Sequence, residues 1–142
     1  NMSTIKYLSP VILKSWFDSF PEVLATRTNS VPSPGQKFVI IDVRDDDHLG
    51  PHIPTSLNIP SSTFLASMPK LSQDLKNYDC VVFYCMMSQI RGPSAARAYA
   101  RWTQEGSDIA PEDQQKIYIL EGGFENWERL NGGVGSIYIA QS

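Results

Sequence analysis

The chain has 142 residues, 42% hydrophobic and 19% charged, which excludes a disordered or fibrous chain and is enough for one domain around one core. A formal charge of −3 with scattered Lys and Arg argues against a nucleic-acid surface. With no apolar run near the roughly 18 residues of a membrane span and no basic-then-apolar leader, a soluble monomer of the cytoplasm and/or nucleus, bound to no membrane, is expected.

In chain order, Asn1 ahead of Met2 reads as a cloning remnant, with Met2 the expected natural start. The segment "TIKYL" alternates as a short strand, and Ser9-Pro10 supplies an N-cap and a first helical residue for "VILKSWFDSF". Residues 26–36, with two prolines and a glycine, read as a loop. "KFVIID" is a continuous apolar run of the kind buried on both faces of a parallel sheet. After a turn-rich stretch, "SSTFLASM" and "KLSQDLKNY" are two short helical candidates. "DCVVFYC" repeats the buried-strand signature, "PSAARAYARWTQ" is a helix with Pro93 in its first turn, and "KIYIL" is a further strand. "GGFENWERLNGG" predicts a helix closed by Gly132-Gly133, and residues 132–142 are left as a tail. Strands alternating with helices predict a single α/β domain over 5–131, with a central, mostly parallel sheet flanked by helices. Functional loops then belong beyond the C-terminal ends of the strands.

Cys85 lies at such an end. Between strand and helix runs C-M-M-S-Q-I-R, a C-x5-R loop from Cys85 to Arg91. The backbone N–H groups of Met86, Met87, Ser88, Gln89 and Ile90 can curl around a tetrahedral oxyanion, and the unpaired N–H groups of the following helix point at the same spot. The thiolate, not the thiol, is the nucleophile, and this field with a nearby cation favours the charged form. The planar fork of Arg91 suits bidentate binding of two oxyanion oxygens. A lone cysteine after an apolar run is more often a buried structural residue, and a lone arginine a solvated one. Together, with strand before and helix after, they point to attack on phosphorus and a phosphocysteine intermediate. The remaining cysteine, Cys80, is no disulfide partner: along a strand its Cα lies about 16 Å from that of Cys85, and the odd spacing points the two to opposite faces, against a limit of about 7 Å.

The stretch "FVIIDVRDDDHLGPHIPTSLNIP" resembles the rhodanese-fold pattern of a strand ending in D-V-R followed by G-x-H-I-x-x-x-x-N-I-P, and "IYILEGGFENWE" resembles that fold's last strand, double glycine and helix. The resemblance implies a rhodanese-like domain. Sulfurtransferases of that family have a shorter loop, whereas its cell-cycle dual-specificity phosphatases and eukaryotic arsenate reductases have C-x5-R; "CMMSQIRGPSAA" looks most like the small fungal phosphatases of the group. By resemblance Cys85 is the nucleophile, Arg91 the oxyanion clamp and residues 86–90 the cradle, with Asp42 and Arg44 bracing loops beneath. The implied activity is a tyrosine or dual-specificity protein phosphatase without cofactor or metal, acting on a phosphorylated protein or a small aryl phosphate. Arsenate reductase is the alternative, and thiosulfate sulfurtransferase comes third.

The larger cell-cycle enzymes carry His before the cysteine, acidic residues in the loop and a second cysteine in the D-x-R strand end. Here Tyr84, then Met86 and Ile90, then Val43 stand in those places. The leaving-group proton must therefore come from the substrate or from elsewhere, Asp45, Asp46 and Asp47 being the nearest carboxyls. A run of three Asp is more often a solvated loop. Of Met86 and Met87, packing beneath the loop and offering an apolar rim to an aryl substrate are equally open. His52 reads as structural and His48 matches nothing; Tyr99, Trp102, Phe124 and Trp127 are expected in the core.

Overall fold

The computed structural model describes residues 5–21, 38–132 and 136–140. The expected loop at 26–36 lies outside them. The described strands are β1 (Lys6–Leu8), β2 (Phe38–Asp42), β3 (Leu57–Asn58), β4 (Cys80–Tyr84) and β5 (Lys116–Leu120), and the α-helices are α1 (Pro10–Ser19), α2 (Phe64–Leu75), α3 (Arg91–Gln104) and α4 (Gly123–Asn131). All five strands pair in parallel in the order β1-β5-β4-β2-β3. None of the described helices is long and apolar enough to cross a membrane.

The period-2 alternation of a strand divides the core into two layers. Val39 and Ile41 of β2, Val81 and Phe83 of β4, and Ile117 and Ile119 of β5 pack with Phe64, Met68, Leu71 and Leu75 of α2 and with Ala95, Ala96, Tyr99 and Ala100 of α3. Phe38, Ile40, Val82, Tyr84 and Leu120 face the other way, onto Leu13 and Phe17 of α1 and Phe124 and Trp127 of α4. Helices on both faces leave β2, β4 and β5 covered, which is why their sequences read as unbroken apolar runs. Cys85 follows the odd parity into the α2–α3 layer, while Cys80 packs against the α1–α4 layer; both are free thiols.

Several local expectations hold in detail. Ser9 caps α1 by accepting from Val11 N–H at 3.1 Å, with Pro10 at the first helical position. Others need correcting. The two short helices expected over 61–78 are one: Ser61–Thr63 forms a 3-10 turn that runs into α2, and Pro69 sits inside that helix. Its missing N–H removes one backbone bond, which the four buried residues of the α2 stripe outweigh. Trp102, expected in the core, is exposed, because the buried stripe of α3 runs through Tyr99 and Ala100 to Gln104 and leaves Trp102 beyond its edge. Gly132 ends α4 with φ −85°, so it is not a left-handed cap; its N–H bonds to Glu128 O at 2.7 Å.

That glycine has a packing reason instead. A Cβ on Gly132 would lie 2.4 Å from Glu128 O and 2.6 Å from Ile139 Cδ1. Residues 136–140 fold back along the body there: Ile139 enters the α1–α4 layer, Trp127 Nε1–H donates to Tyr138 O at 2.8 Å, Tyr138 hydroxyl meets Asp18, and Ala140 bridges to His52. Gly132→Ala is expected to cost about 1–3 kcal/mol through overpacking at this seam, read as a lower urea midpoint with unchanged slope.

Candidate active site

Chain direction alone places Cys85 just past β4, beside the end of β2, and Arg91 at the first turn of α3. Between them residues 86–90 form successive bends. What holds these bends is the start of α4. Phe124 N–H donates to Cys85 O and Glu125 N–H to Met86 O, each at 2.9 Å, so two N-terminal amides of a helix grip two consecutive loop carbonyls. Because a trans peptide sets its N–H opposite its C=O, the amides of Met86 and Met87 point away from α4, to the concave side. Among the described residues, no backbone N–H from Met86 to Arg91 donates to a protein acceptor. Gly92 N–H donates to Cys85 Sγ at 3.2 Å, and Cys85 is 3% exposed. The result is a loop of backbone donors without protein acceptors that leads from a buried sulfur into a helix N-terminus.

The grip explains the double glycine before α4. Gly122 and Gly123 have φ +75° and +63°, and a Cβ on Gly123 would lie 2.5 Å from Cys85 O and 2.6 Å from Met86 O. Both the conformation and the close approach require glycine there.

Beneath the loop lies a buried charge pair. Arg44 Nε and Nη2 donate to the Asp42 carboxylate at 2.8–3.1 Å, and both residues are 1% exposed. Burial is the strongest influence on Arg44 and opposes its charge, but the Asp42 hydrogen bonds together with the charges of its acidic neighbours raise its pKa overall. The guanidinium stacks 4.4 Å over the Phe124 ring and donates to Pro51 O. Tyr84 hydroxyl, its pKa raised by burial and then by the Asp42 charge, stays protonated and donates to Asp42 Oδ2 at 2.9 Å; Ile53 N–H donates to it, and Ser56 Oγ lies 3.2 Å away. His52 Nδ1 bonds within this segment, to Ile53 O and Ser56 Oγ. The pair thus ties β2 to the 51–56 segment and, through Phe124, to the residues that grip the loop. Tyr84 was not legible as a hub, although its parity with Asp42 across the β2–β4 register was available in the apolar runs.

Arg91 departs from the sequence expectation of a fork kept for an oxyanion. Its Nη1 and Nη2 donate to the two Asp47 oxygens at 2.9 and 2.7 Å, with Asp45 Oδ2 3.5 Å from Nη1. A run of three aspartates at the end of β2 brings a carboxylate to the C-terminal edge where Arg91 emerges, and a planar fork pairs with it. Nη1 and Nη2 are engaged, and Nε–H has no partner among the described residues. The Asp47 bonds raise the Arg91 pKa, and Arg91 in turn holds the Asp47 carboxyl at about 2. Asp45 is lowered by the Ser61 hydroxyl and Ser62 N–H. Both are carboxylates well above pH 4, so neither holds a proton to give near neutrality. With Arg91 and Asp47 31% and 35% exposed, this is a surface pair worth at most about 1 kcal/mol to stability.

The methionines divide between the two readings. Met86 packs partly buried against the α1–α4 layer, whereas Met87 and, further on, Ile90 are exposed at the rim. A groove of about 610 Å³ elsewhere, lined by Lys76, Tyr78, Asp79, Tyr99, Gln115 and Lys116 among others, opens at the opposite, N-terminal edge of β4 and β5 and shares no residue with the loop.

Known proteins are similar to this chain. The rhodanese-like domain model matches residues 28–130. The dual specificity phosphatase ibp1 of Schizosaccharomyces pombe is 37% identical over 144 residues, spanning 93% of this chain and 94% of that protein. Arsenate reductase 2.2 of Oryza sativa subsp. japonica is 34% identical over 93 residues, 65% of this chain and 70% of its own. A solved yeast protein tyrosine phosphatase of the rhodanese family superposes with TM-score 0.67 at 29% identity, covering 96% of this chain and 92% of that one.

Asp42→Asn, which leaves Arg44 buried without its counter-charge, is expected to cost about 3–5 kcal/mol by urea unfolding. Val43 and Cys80 leave Cys85 no thiol within reach, so peroxide should carry it past the sulfenic acid. Activity lost to peroxide should then return only in small part with dithiothreitol, and full recovery would contradict the assignment.

Proposed function

The chain belongs to the rhodanese-like domain family, and on that premise we propose that it is a cysteine-dependent phosphomonoesterase of tyrosine or dual specificity. One observation carries the proposal: among the described residues the amides from Met86 to Arg91 meet no protein acceptor, and they run as a ring of donors from Cys85 to the N-terminus of α3, where Gly92 N–H donates to Cys85 Sγ. Backbone donors fixed in that ring stabilise charge on the three non-bridging oxygens of a phosphoryl group without reorganising. The relatives named as dual specificity and tyrosine phosphatases support the same reading.

In this mechanism Cys85 thiolate attacks phosphorus in line. The S–P bond forms as the P–O bond to the leaving group breaks, and water then hydrolyses the phosphocysteine. Arg91, its two Nη atoms anchored by Asp47, has Nε–H and the second Nη2 N–H left for the phosphoryl oxygens. Asp42 and Arg44 act only through the loop they brace. The catalytic unit is residues 5–131, and residues 136–140 of the following tail steady it. Dependence on a free thiol suits a reducing compartment, the cytoplasm or nucleus. A phosphoprotein or small aryl phosphate is the substrate class, and the protein acts as a monomer.

Of the three candidate carboxyls for the leaving-group proton, Asp45 and Asp47 are ionised, and exposed Asp46 makes no bond to the loop among the described residues; the loop itself has no carboxyl. The monoanionic substrate therefore supplies it, and poor leaving groups are turned over slowly. Arsenate reduction is the second reading, favoured by the reductases among the relatives; it seats arsenate in the same ring and draws its electrons from glutathione through a glutaredoxin. Sulfur transfer is disfavoured by the longer loop.

Cys85→Ser should lower hydrolysis of p-nitrophenyl phosphate by at least about a thousandfold. Turnover that survives would sink the mechanism. In the wild type, kcat/KM should fall above about pH 6 as the substrate loses its second proton. That limb should stay in place in Asp45→Asn and Asp47→Asn, and its disappearance in either would restore that residue as the acid. Arsenate-dependent glutathione oxidation measured beside phosphate release separates the two activities, with thiosulfate and cyanide as the test for sulfur transfer.

A further inference from the structure

Ser88 stands midway in the loop, three residues from Cys85 and three from Arg91. Its φ of +54° is left-handed, a region that a serine enters only at a cost glycine escapes. The residue is 4% exposed, and its hydroxyl is buried with no hydrogen-bond partner among the described residues. Only one other buried side-chain polar atom, Asn131 Nδ2 at the far end of α4, shares that condition there. Alanine would remove the unpaired hydroxyl and glycine would relieve the backbone as well, so nothing in the resting fold favours serine at this position.

The hydroxyl's position is defined by Gly92. A Cβ built on Gly92 would lie 3.4 Å from Ser88 Oγ, 3.5 Å from Cys85 Sγ and 3.4 Å from Cys85 N. Hydroxyl and sulfur therefore flank the same side of Gly92, at the start of α3. The sulfur already accepts from Gly92 N–H. In the rest of the loop Met86, Met87 and Ile90 have no side-chain donor, Gln89 is exposed, and Arg91 is engaged by Asp47. Ser88 Oγ–H is thus the one buried side-chain donor the loop encloses.

We propose that the Ser88 hydroxyl is a substrate-binding group, donating its proton to a non-bridging oxygen of the tetrahedral oxyanion seated over Cys85. The inference rests on the reading of 85–91 as an oxyanion cradle. It adds to the backbone amides a donor that needs no charge and serves phosphate and arsenate alike. The unpaired hydroxyl and the strained backbone are then features of the unloaded site, relieved in part when an acceptor arrives.

Tungstate, an inert tetrahedral dianion, is the probe. Its affinity for the full chain is measured by calorimetry in wild type, Ser88→Ala and Ser88→Gly, with anion-free thermal midpoints and the pH dependence of Cys85 alkylation by iodoacetamide taken on the same proteins. Both variants should bind tungstate about tenfold or more weakly. Their anion-free midpoints should be equal to or above that of wild type, and the alkylation profile should be unchanged. Unaltered tungstate affinity in both variants overturns the proposal, as does a lower midpoint accompanying the weaker binding, which would make the role structural. A displaced alkylation profile overturns it too, because the hydroxyl would then be serving the sulfur. Wild type that hydrolyses phosphomonoesters while both variants keep tungstate affinity defeats this inference alone. Wild type that binds tungstate through Ser88 without turnover defeats the phosphatase reading alone.

Discussion

Two hydrogen bonds, from Phe124 and Glu125 N–H to Cys85 and Met86 O, set the orientation of the loop. A helix N-terminus usually offers its free amides to a ligand or to water. Here α4 spends two of them on loop carbonyls, and peptide planarity converts that contact into a direction for the amides on the other side. The cradle is therefore made from two helices with different tasks: α4 turns the loop's carbonyls outward, and α3 supplies Gly92 N–H to the sulfur and Arg91 at the rim. An oxyanion site built in this way needs few polar side chains, which is why the loop sequence can be as apolar as M-M-x-x-I.

The remaining polar machinery serves to keep α4 and the loop in register. Asp42, Arg44 and Tyr84 are buried together, and burial of charges is favourable only when every member is bonded. Asp42 satisfies this by accepting from Arg44 and Tyr84, and the cation completes its coordination on Pro51 O and the Phe124 face. Phe124 is also the residue whose N–H grips Cys85 O, so the ion pair under the sheet end and the grip on the loop share one residue. A hydrophobic replacement of equal volume could fill that space without fixing the direction of the loop. Residues 136–140 add to the same construction from outside, through Trp127 of α4 and the bridge between Ala140 and His52.

Much of this was legible in the sequence, and what was not has a physical reason. Continuous apolar runs announced β2, β4 and β5, and strand parity placed Cys80 and Cys85 in different layers. C-x5-R between a strand and a helix marked the cradle because both neighbours of the loop are local in sequence. The Arg91–Asp47 pair was hidden, since it joins residues 44 positions apart and depends on which carboxylate of three reaches the edge of the sheet. Tyr84 looked like one more apolar strand residue, its hydroxyl given a partner only by the β2–β4 register. The continuity of α2 across Pro69 went unseen because a proline's local cost is visible in a sequence while the stripe of tertiary contacts that offsets it is not. The role of the double glycine as a contact surface likewise required knowing which carbonyls approach it.

A cradle with no carboxylic acid and with its arginine held by a carboxylate has a consequence for what chemistry it can select. The proposed recognition elements are backbone amides, one guanidinium and the Ser88 hydroxyl, none of which distinguishes phosphorus from arsenic in a tetrahedral oxyanion. Discrimination must then come from the departing group and from whatever meets the cysteine adduct. For an aryl ester the leaving oxygen departs readily and water suffices; for arsenate the adduct must meet a thiol reductant, which needs access at the rim. The rim here carries Met87 and Ile90, both exposed, beside Arg91, whose charge is already paired with Asp47 and Asp45. On the proposed reading, that apolar edge would favour an aryl leaving group lying against it, and would bias a loop able to seat either oxyanion toward aryl phosphates.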